Sequence, residues 1–283
     1  MARLFCFGIG FTAQALLRQV LPAGWAVTGT ARTADKCAAL EAEGLRMVRF
    51  DGTAPLPPGS LDGVTHVLVS VPPGADGDPV LRLHGADIAA LPGLEWVGYL
   101  STTGVYGDRG GAWVDEDTPI APDLERSVRR AEAERGWLAL GAATGAPVQV
   151  FRLAGIYGRG RSALDNLRAG TAQRIVKPGQ VFCRIHVDDI AQVLRASMAR
   201  PNPGRIYNVA DDEPAPPQDV ITYAAGLLGI APPPEVPFEQ APLSPMARTF
   251  YQDSKRVKNR RIREELGVRL KYPTYREGLQ ALL

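Results

Sequence analysis

The chain of 283 residues holds only three cysteines, three histidines and 7% aromatic residues. No apolar run approaches the roughly 20 residues that a bilayer-spanning helix needs, which excludes a membrane protein of that type. Cys6, Cys37 and Cys183 are odd in number and far apart in sequence. They form neither a disulfide framework nor a zinc pattern, and they fit a reducing cytoplasm. Nor does either sign of charge dominate: 32 Lys and Arg face 30 Asp and Glu, a formal net charge of +2. So even a balance points to neither a nucleic-acid binder nor a membrane-surface binder. The apolar opening at residues 4–7 breaks at Gly8 and Gly10 without a small-residue cleavage site, so no signal peptide is expected. His186 stands beside Asp188 and Asp189, but no second His or Cys lies at ligand spacing, and no metal site is expected.

What remains is 45% hydrophobic and 22% charged, the composition of an ordinary globular chain large enough for one big or two modest domains. Short apolar runs predict strands at residues 4–7, 25–30, 46–50, 66–70, 96–101 and 148–153. Ala13, Leu16, Leu17, Val20 and Leu21 recur at helical spacing, and Pro22 and Gly24 end that helix. Further helices are expected at 34–43, 81–91 and 124–140. Strands alternating with helices imply crossover units and hence a parallel sheet covered on both faces. The expected division is an α/β, doubly wound domain over residues 1–153 and a smaller C-terminal lobe over 154–283. Within the latter, the regular helix at 187–199 should pack back on the first domain.

Gly8-Ile9-Gly10-Phe11-Thr12-Ala13 fits G-x-G-x-x-A, placed after a strand and at the start of a helix. Gly8 permits the tight turn, Gly10 lets the backbone approach a pyrophosphate, and small Ala13 permits close helix–strand packing. The helix N-terminus then offers N–H groups and its dipole to the anion. The backbone around Phe11 and Thr12 belongs to the same expected site, as does Ser70 at the end of the fourth strand. The second strand leads into Thr30-Ala31-Arg32, with Lys36 a turn later, where an NAD site would carry an acid. A cation suits a 2′-phosphate, so NADP is expected ahead of NAD. Asp51 has two readings: an acceptor for the adenine amino group, or a cap for the turn at Asp51-Gly52.

Ser101-Thr102-Thr103-Gly104-Val105-Tyr106-Gly107 resembles the signature of the extended short-chain dehydrogenases/reductases, the NAD-dependent epimerase/dehydratase family. Arg152-Leu153-Ala154-Gly155-Ile156-Tyr157-Gly158, Ile185-His186-Val187-Asp188-Asp189-Ile190 and Tyr207-Asn208-Val209 are similar to later family segments, in the family's order. So is the stretch from Lys255-Arg256-Val257 to Glu264-Glu265-Leu266-Gly267. The resemblance implies a Rossmann fold with a small substrate lobe and a catalytic Ser or Thr, which falls on Thr102. It also implies Tyr and Lys spaced Y-x-x-x-K on the next helix. No such pair exists in residues 108–150. Keeping the downstream Glu in register puts Arg126 where Tyr belongs and Arg130 where Lys belongs.

Arginine does not release its proton at ordinary pH, so Arg126 is no general acid or base. It offers a fixed cation toward a developing alkoxide, with Thr102 donating a hydrogen bond and water supplying the proton. Arg130 keeps the charge and donors needed for the nicotinamide ribose. Spaced i and i+4, the two arginines suit an anionic small-molecule substrate, or else they form a solvated basic stripe. Tyr106 and Tyr157 are alternative proton donors, though packing is the commoner role for such aromatics. The stretch 248–271 carries nine Lys or Arg against three acids. It reads as an amphipathic element over the second lobe, or as an anion-facing wall.

The leading expectation is a cytoplasmic NAD(P)-dependent oxidoreductase acting on a carbonyl or alcohol, with a homodimer as its expected assembly. Two alternatives stand beside it. One is a catalytically silent NADP-binding sensor or scaffold, and the other is a sugar-nucleotide epimerase or dehydratase.

Overall fold

The computed structural model describes residues 2–283. In chain order the elements are β1 (Arg3–Phe7), α1 (Phe11–Val20), β2 (Ala26–Ala31), α2 (Ala34–Ala42), β3 (Arg46–Arg49) and β4 (His66–Val69). Next come α3 (Pro79–Ala89), β5 (Trp96–Thr102), β6 (Trp113–Val114), α4 (Glu125–Thr144), β7 (Val148–Leu153) and β8 (Gly155–Tyr157). After these follow α5 (Ala163–Arg168), β9 (Arg174–Val176), β10 (Arg184–His186), α6 (Val187–Ala199), β11 (Ile206–Val209) and α7 (Pro217–Leu227). The chain closes with β12 (Glu235–Pro237), α8 (Pro245–Thr249), β13 (Arg256–Val257), α9 (Arg260–Glu264) and α10 (Tyr275–Gln280).

A seven-stranded sheet in the order β11-β7-β5-β4-β1-β2-β3 forms the first framework. The pairs β1–β2, β1–β4, β2–β3 and β4–β5 are all parallel. Starting at β1, the order runs outward one way through β2 and β3 and the other way through β4, β5 and β7. This is the doubly wound Rossmann arrangement, whose order reverses beside β1. Continuous apolar runs explain the central strands: Phe5, Phe7, Val67, Val69, Val97 and Tyr99 are all fully buried, as strands covered on both faces require.

The chain divides into two compact units that interleave along the sequence, rather than at one cut near residue 153. Among the described residues, the first comprises 2–102, Glu125–Arg152 and Ile190–Tyr207; the second comprises Thr103–Leu124, Leu153–Asp189 and Asn208–Leu283. Within the first unit, the Ile190–Ala199 part of α6 is packed on the sheet. Trp96 Nε1 donates to Ser197 Oγ at 2.9 Å, and Ser197 Oγ donates to Gln149 Oε1 at 2.7 Å, all three side chains being buried. The second unit has its own apolar clusters, one around Tyr157, Leu164, Val220, Tyr275 and Leu279.

The basic stretch at 248–271 contains no long amphipathic helix. Among the described residues it holds the end of α8 and the five-residue α9, with Val257, Ile262 and Leu266 buried. Most of its charge is met by acids of the second unit: Lys258 by Asp115, Arg261 by Glu116 and Asp117, Arg263 by Asp212. Among the described residues no helix is long and apolar enough to cross a membrane, and no cluster of potential metal ligands occurs.

Candidate functional site

The turn between β1 and α1 is shaped by glycine. Gly8 has φ +91°, a conformation that side chains other than glycine rarely adopt. A Cβ on Gly8 would also meet Val71 Cγ2 at 3.3 Å. Its N–H donates to Thr30 Oγ1 at 2.9 Å, and Ile9 N–H donates to Thr30 O at 2.9 Å, so buried Thr30 on β2 holds the turn in place. Ser70 N–H donates to Phe7 O at 2.9 Å, which brings the exit of β4 beside Gly8. Gly10 differs in kind from Gly8. Its φ of −100° is open to any residue, it supplies no side-chain cap to α1, and a Cβ there would meet nothing within 4 Å. The first turn of α1 thus faces an opening that a side chain would fill. Thr12 and Ala13 are buried behind it and Phe11 is half-buried. These residues fit a dinucleotide pyrophosphate: a side-chain-free approach, main-chain N–H groups and the positive end of a ten-residue helix.

At the ends of β2 and β3 the two strands are in register, with Ala31 opposite Arg49. Arg32 is exposed, and among the described residues no hydrogen bond or ion pair engages its guanidinium. Asp51, in contrast, is committed. Its Oδ1 accepts from Thr53 N at 3.0 Å and Thr53 Oγ1 at 2.6 Å, and its Oδ2 accepts from Arg49 Nη2 at 3.3 Å. The Thr53 hydroxyl, chiefly, holds this carboxyl below its ordinary value. Of the two sequence readings of Asp51, this geometry matches the turn cap.

Helix α4 carries Arg126 and Arg130, the positions at which the family resemblance leads one to expect Tyr and Lys. Arg126 is exposed in its first turn. One turn on, half-buried Arg130 donates from Nη1 to Leu100 O at 2.5 Å and lies 3.4 Å from the Tyr99 hydroxyl. Those contacts place it against the end of β5, whose last residue is Thr102. The buried Ser101 Oγ, just before Thr102, has no hydrogen-bond partner. One further turn along α4, Glu134 is buried and accepts from Arg152 on β7, at 2.8 Å from Nη2 and 3.2 Å from Nε. Asp78 caps α3, accepting from Val80 N and Leu81 N at 2.9 Å, and its other oxygen accepts from Trp137 Nε1 at 3.3 Å. Burial pushes the Asp78 carboxyl and the Tyr99 hydroxyl above their ordinary values.

Neither alternative tyrosine is poised as an acid. In the second unit the Tyr106 side chain is fully buried and its hydroxyl donates to Asn208 Oδ1 at 2.8 Å. Asn208 in turn accepts no substrate role: its amide donates to Lys258 O, and its N–H donates to Glu116 Oε1. Tyr157 is buried against His186, its hydroxyl is 3.5 Å from Thr274 O, and burial raises its proton affinity well above the ordinary phenol.

Sequence reasoning missed three features here: the Glu134–Arg152 pair, the Asp78 cap and the bridging role of Arg49. A signal existed for the second, since Asp78-Pro79 is a helix-start dipeptide. The pairing of Glu134 with Arg152 had none, because the two lie 18 residues apart on different elements.

No family model matches the chain. Over 187 residues it is 30% identical to a Streptomyces protein named 3-diazoavenalumate denitrifying reductase, covering 60% of this chain and 59% of that one. The match therefore spans little more than half the relative's length. Among solved structures, a conserved protein of unknown function from Silicibacter pomeroyi is 56% identical, with a TM-score of 0.92 over 100% of this chain and 98% of that one. A Methylobacillus flagellatus protein assigned as an NAD-dependent epimerase/dehydratase is 28% identical, with a TM-score of 0.73 over 99% and 97% of the two chains.

Proposed function

Because the chain belongs to the extended short-chain dehydrogenases/reductases of the NAD-dependent epimerase/dehydratase type, we propose that it is an NADP(H)-dependent oxidoreductase. The observation that carries this reading is the cradle at Gly8–Ala13, where an uncapped helix start faces a space that a Cβ on Gly10 would enter. Gly8, Gly10, Phe11, Thr12 and Ala13 would hold the pyrophosphate through the main chain, with Ser70 beside them. Arg32 would meet a 2′-phosphate, and its unengaged guanidinium supports NADP ahead of NAD.

The bound coenzyme supplies hydride chemistry at its nicotinamide ring. The chain supplies positioning and charge. Thr102 donates its hydroxyl to the reacting oxygen of a carbonyl or alcohol substrate. Arg126 contributes a fixed positive charge from an exposed first turn, which favours a substrate bearing an anionic group. Arg130 keeps Nη1 on Leu100 O and offers its remaining donors to the nicotinamide ribose. The proton comes from water, since Tyr106 and Tyr157 are both buried and engaged within the second unit.

The absence of Tyr-x-x-x-Lys from residues 108–150 supports a second reading, a protein that binds NADP(H) without turnover. The sugar-nucleotide epimerase reading draws less support, because that chemistry relies on the missing base. Equilibrium binding of NADPH and NADH decides first whether a coenzyme binds. NADPH oxidation is then followed with a panel of aldehydes, ketones and a diazo compound, the substrate type in the Streptomyces relative's name. Turnover of any of these supports the reductase. Tight binding with no turnover supports the silent binder, and no binding of either coenzyme removes both readings.

A further inference from the structure

A helix N-cap needs one acceptor, and asparagine or serine would supply it as well as aspartate does. At the start of α3, Asp78 uses only one oxygen for the cap: Oδ1 accepts from Val80 N and Leu81 N, both at 2.9 Å. Its Oδ2 reaches α4 instead and accepts from Trp137 Nε1 at 3.3 Å. Both side chains are buried, so a carboxylate is kept from water where a neutral cap would cost less. The Trp137 indole stacks on the Tyr99 ring of β5, with centroids 6.2 Å apart and an interplanar angle of 26°. The same phenol meets Arg130, whose Nη1 lies 3.4 Å from the hydroxyl and 2.5 Å from Leu100 O. The guanidinium carbon is 5.8 Å from the centre of the Tyr99 ring. Residues 130 and 137 are about two turns apart on α4 and therefore share one of its faces.

We propose that Asp78 is a positioning residue for Arg130, holding it at the end of β5 through the stacked Trp137 and Tyr99 rings, and so governs the grip on the nicotinamide half of the coenzyme. The inference rests on the role proposed above for Arg130 and deepens it by naming what fixes that side chain. Arginine is long and rotamer-rich, and among the described residues Arg130 meets only uncharged oxygens, the Leu100 carbonyl and the Tyr99 hydroxyl. Ordering it in advance removes part of the entropy that binding would otherwise cost. Charge ties the same groups together. Burial, above all, pushes the Asp78 carboxyl up, and its hydrogen bonds and the Arg130 charge oppose this. On the Tyr99 hydroxyl burial dominates again, while the Arg130 charge lowers its value and the Asp78 charge raises it. All four side chains belong to the first unit.

Titration calorimetry of the full chain with NADPH, and with adenosine 2′,5′-bisphosphate as a probe lacking the nicotinamide half, tests this without any substrate. In Asp78→Asn the cap acceptor is kept, but the charge is gone and the amide presents a donor to Trp137 Nε1. That variant is expected to bind NADPH about fivefold more weakly, and the bisphosphate as the unmodified protein does. Tyr99→Phe, which deletes only the hydroxyl, should do the same, and it carries the test if Asp78→Asn fails to fold. Once Arg130→Ala has removed the side chain being positioned, adding Asp78→Asn should weaken NADPH binding no further. Equal weakening of both ligands in Asp78→Asn, an unchanged NADPH affinity, or a full additional loss in the Arg130→Ala background overturns the proposal and leaves the coenzyme reading standing. Unchanged NADPH affinity in Arg130→Ala itself, or no binding by the unmodified protein, removes the underlying reading, and the proposal falls with it.

Discussion

The turn at Gly8–Ala13 and helix α4 belong to the same compact unit, yet they depend on different parts of the chain. At the turn, shape comes from the backbone: a positive φ at Gly8, an open approach at Gly10 and main-chain hydrogen bonds to Thr30. On α4 everything rests on side chains, with Arg130 tied to Leu100 O and Glu134 to Arg152. A backbone site tolerates change at neighbouring positions, whereas proton chemistry needs one particular group at one particular place. That is why coenzyme binding can outlast the loss of Tyr-x-x-x-Lys. The difference teaches that a backbone-built turn and a side-chain-built helix face can fail independently, so the proposed binding and the proposed turnover each call for a separate test.

The largest effect is expected on α4. Glu134→Ala removes the carboxylate facing buried Arg152, and breaking such a buried pair costs about 3–5 kcal/mol. Urea unfolding measures it, and a loss below about 1 kcal/mol would mean that α4 is not anchored through this pair. The turn provides the opposite case. In Gly10→Val the φ of −100° is allowed and the Cβ meets nothing, so the fold should persist with its melting temperature nearly unchanged. Coenzyme affinity should nonetheless drop about 100-fold, because the side chain occupies the pyrophosphate approach. Retained binding in that variant would break the contrast drawn here.

Buried carboxylates extend the comparison to the second unit. Glu134 is paired with Arg152, whereas Asp211 is buried without an ion pair among the described residues; burial, only partly offset by the Arg184 charge and the Glu213 backbone, raises its carboxyl from an ordinary 3.8 to about 8. The folded state then holds this proton more tightly than the unfolded state does. Its contribution to stability is complete below about pH 4 and is lost as pH climbs through about 8. Asp211→Asn, neutral throughout, should therefore exceed the unmodified protein in stability by about 1–3 kcal/mol at pH 9, and by much less at pH 5. Denaturant midpoints at the two pH values check the sign, and a variant less stable at pH 9 would show that the charge is welcome there. The smallest effect sharpens the two roles on α4. Arg126→Ala should change coenzyme affinity by less than about threefold while turnover, if present, falls about tenfold. Equal losses in both would place Arg126 in coenzyme binding instead.

Much of the architecture was legible because period and punctuation are local. Residues 4–7, 96–101 and 148–153 carry continuous apolar runs, and they are β1, β5 and β7 to within two residues. Gly8 and Gly10 announced a turn before a helix, and the turn is there. The interleaving of the two units was not legible. Residues 103–124 join the second unit although they precede α4, because contacts between distant segments, such as Arg109 N with Ser254 O, leave no periodic trace. For the same reason the fate of Asp51 stayed open until Arg49 and Thr53 were seen to hold it.

By itself the sequence determined the alternation of strand and helix, the side-chain-free turn before α1, and the lack of a tyrosine on α4. These follow from residue types and their spacing along the chain. Only the tertiary structure decided which charges are met and which are left open. Among the described residues the Arg32 guanidinium is unengaged, Arg261 and Arg263 face Asp117 and Asp212, and Tyr106 is locked on Asn208. Ion pairs and hydrogen bonds act over a few ångströms of space, and folding sets that distance without regard to separation in sequence.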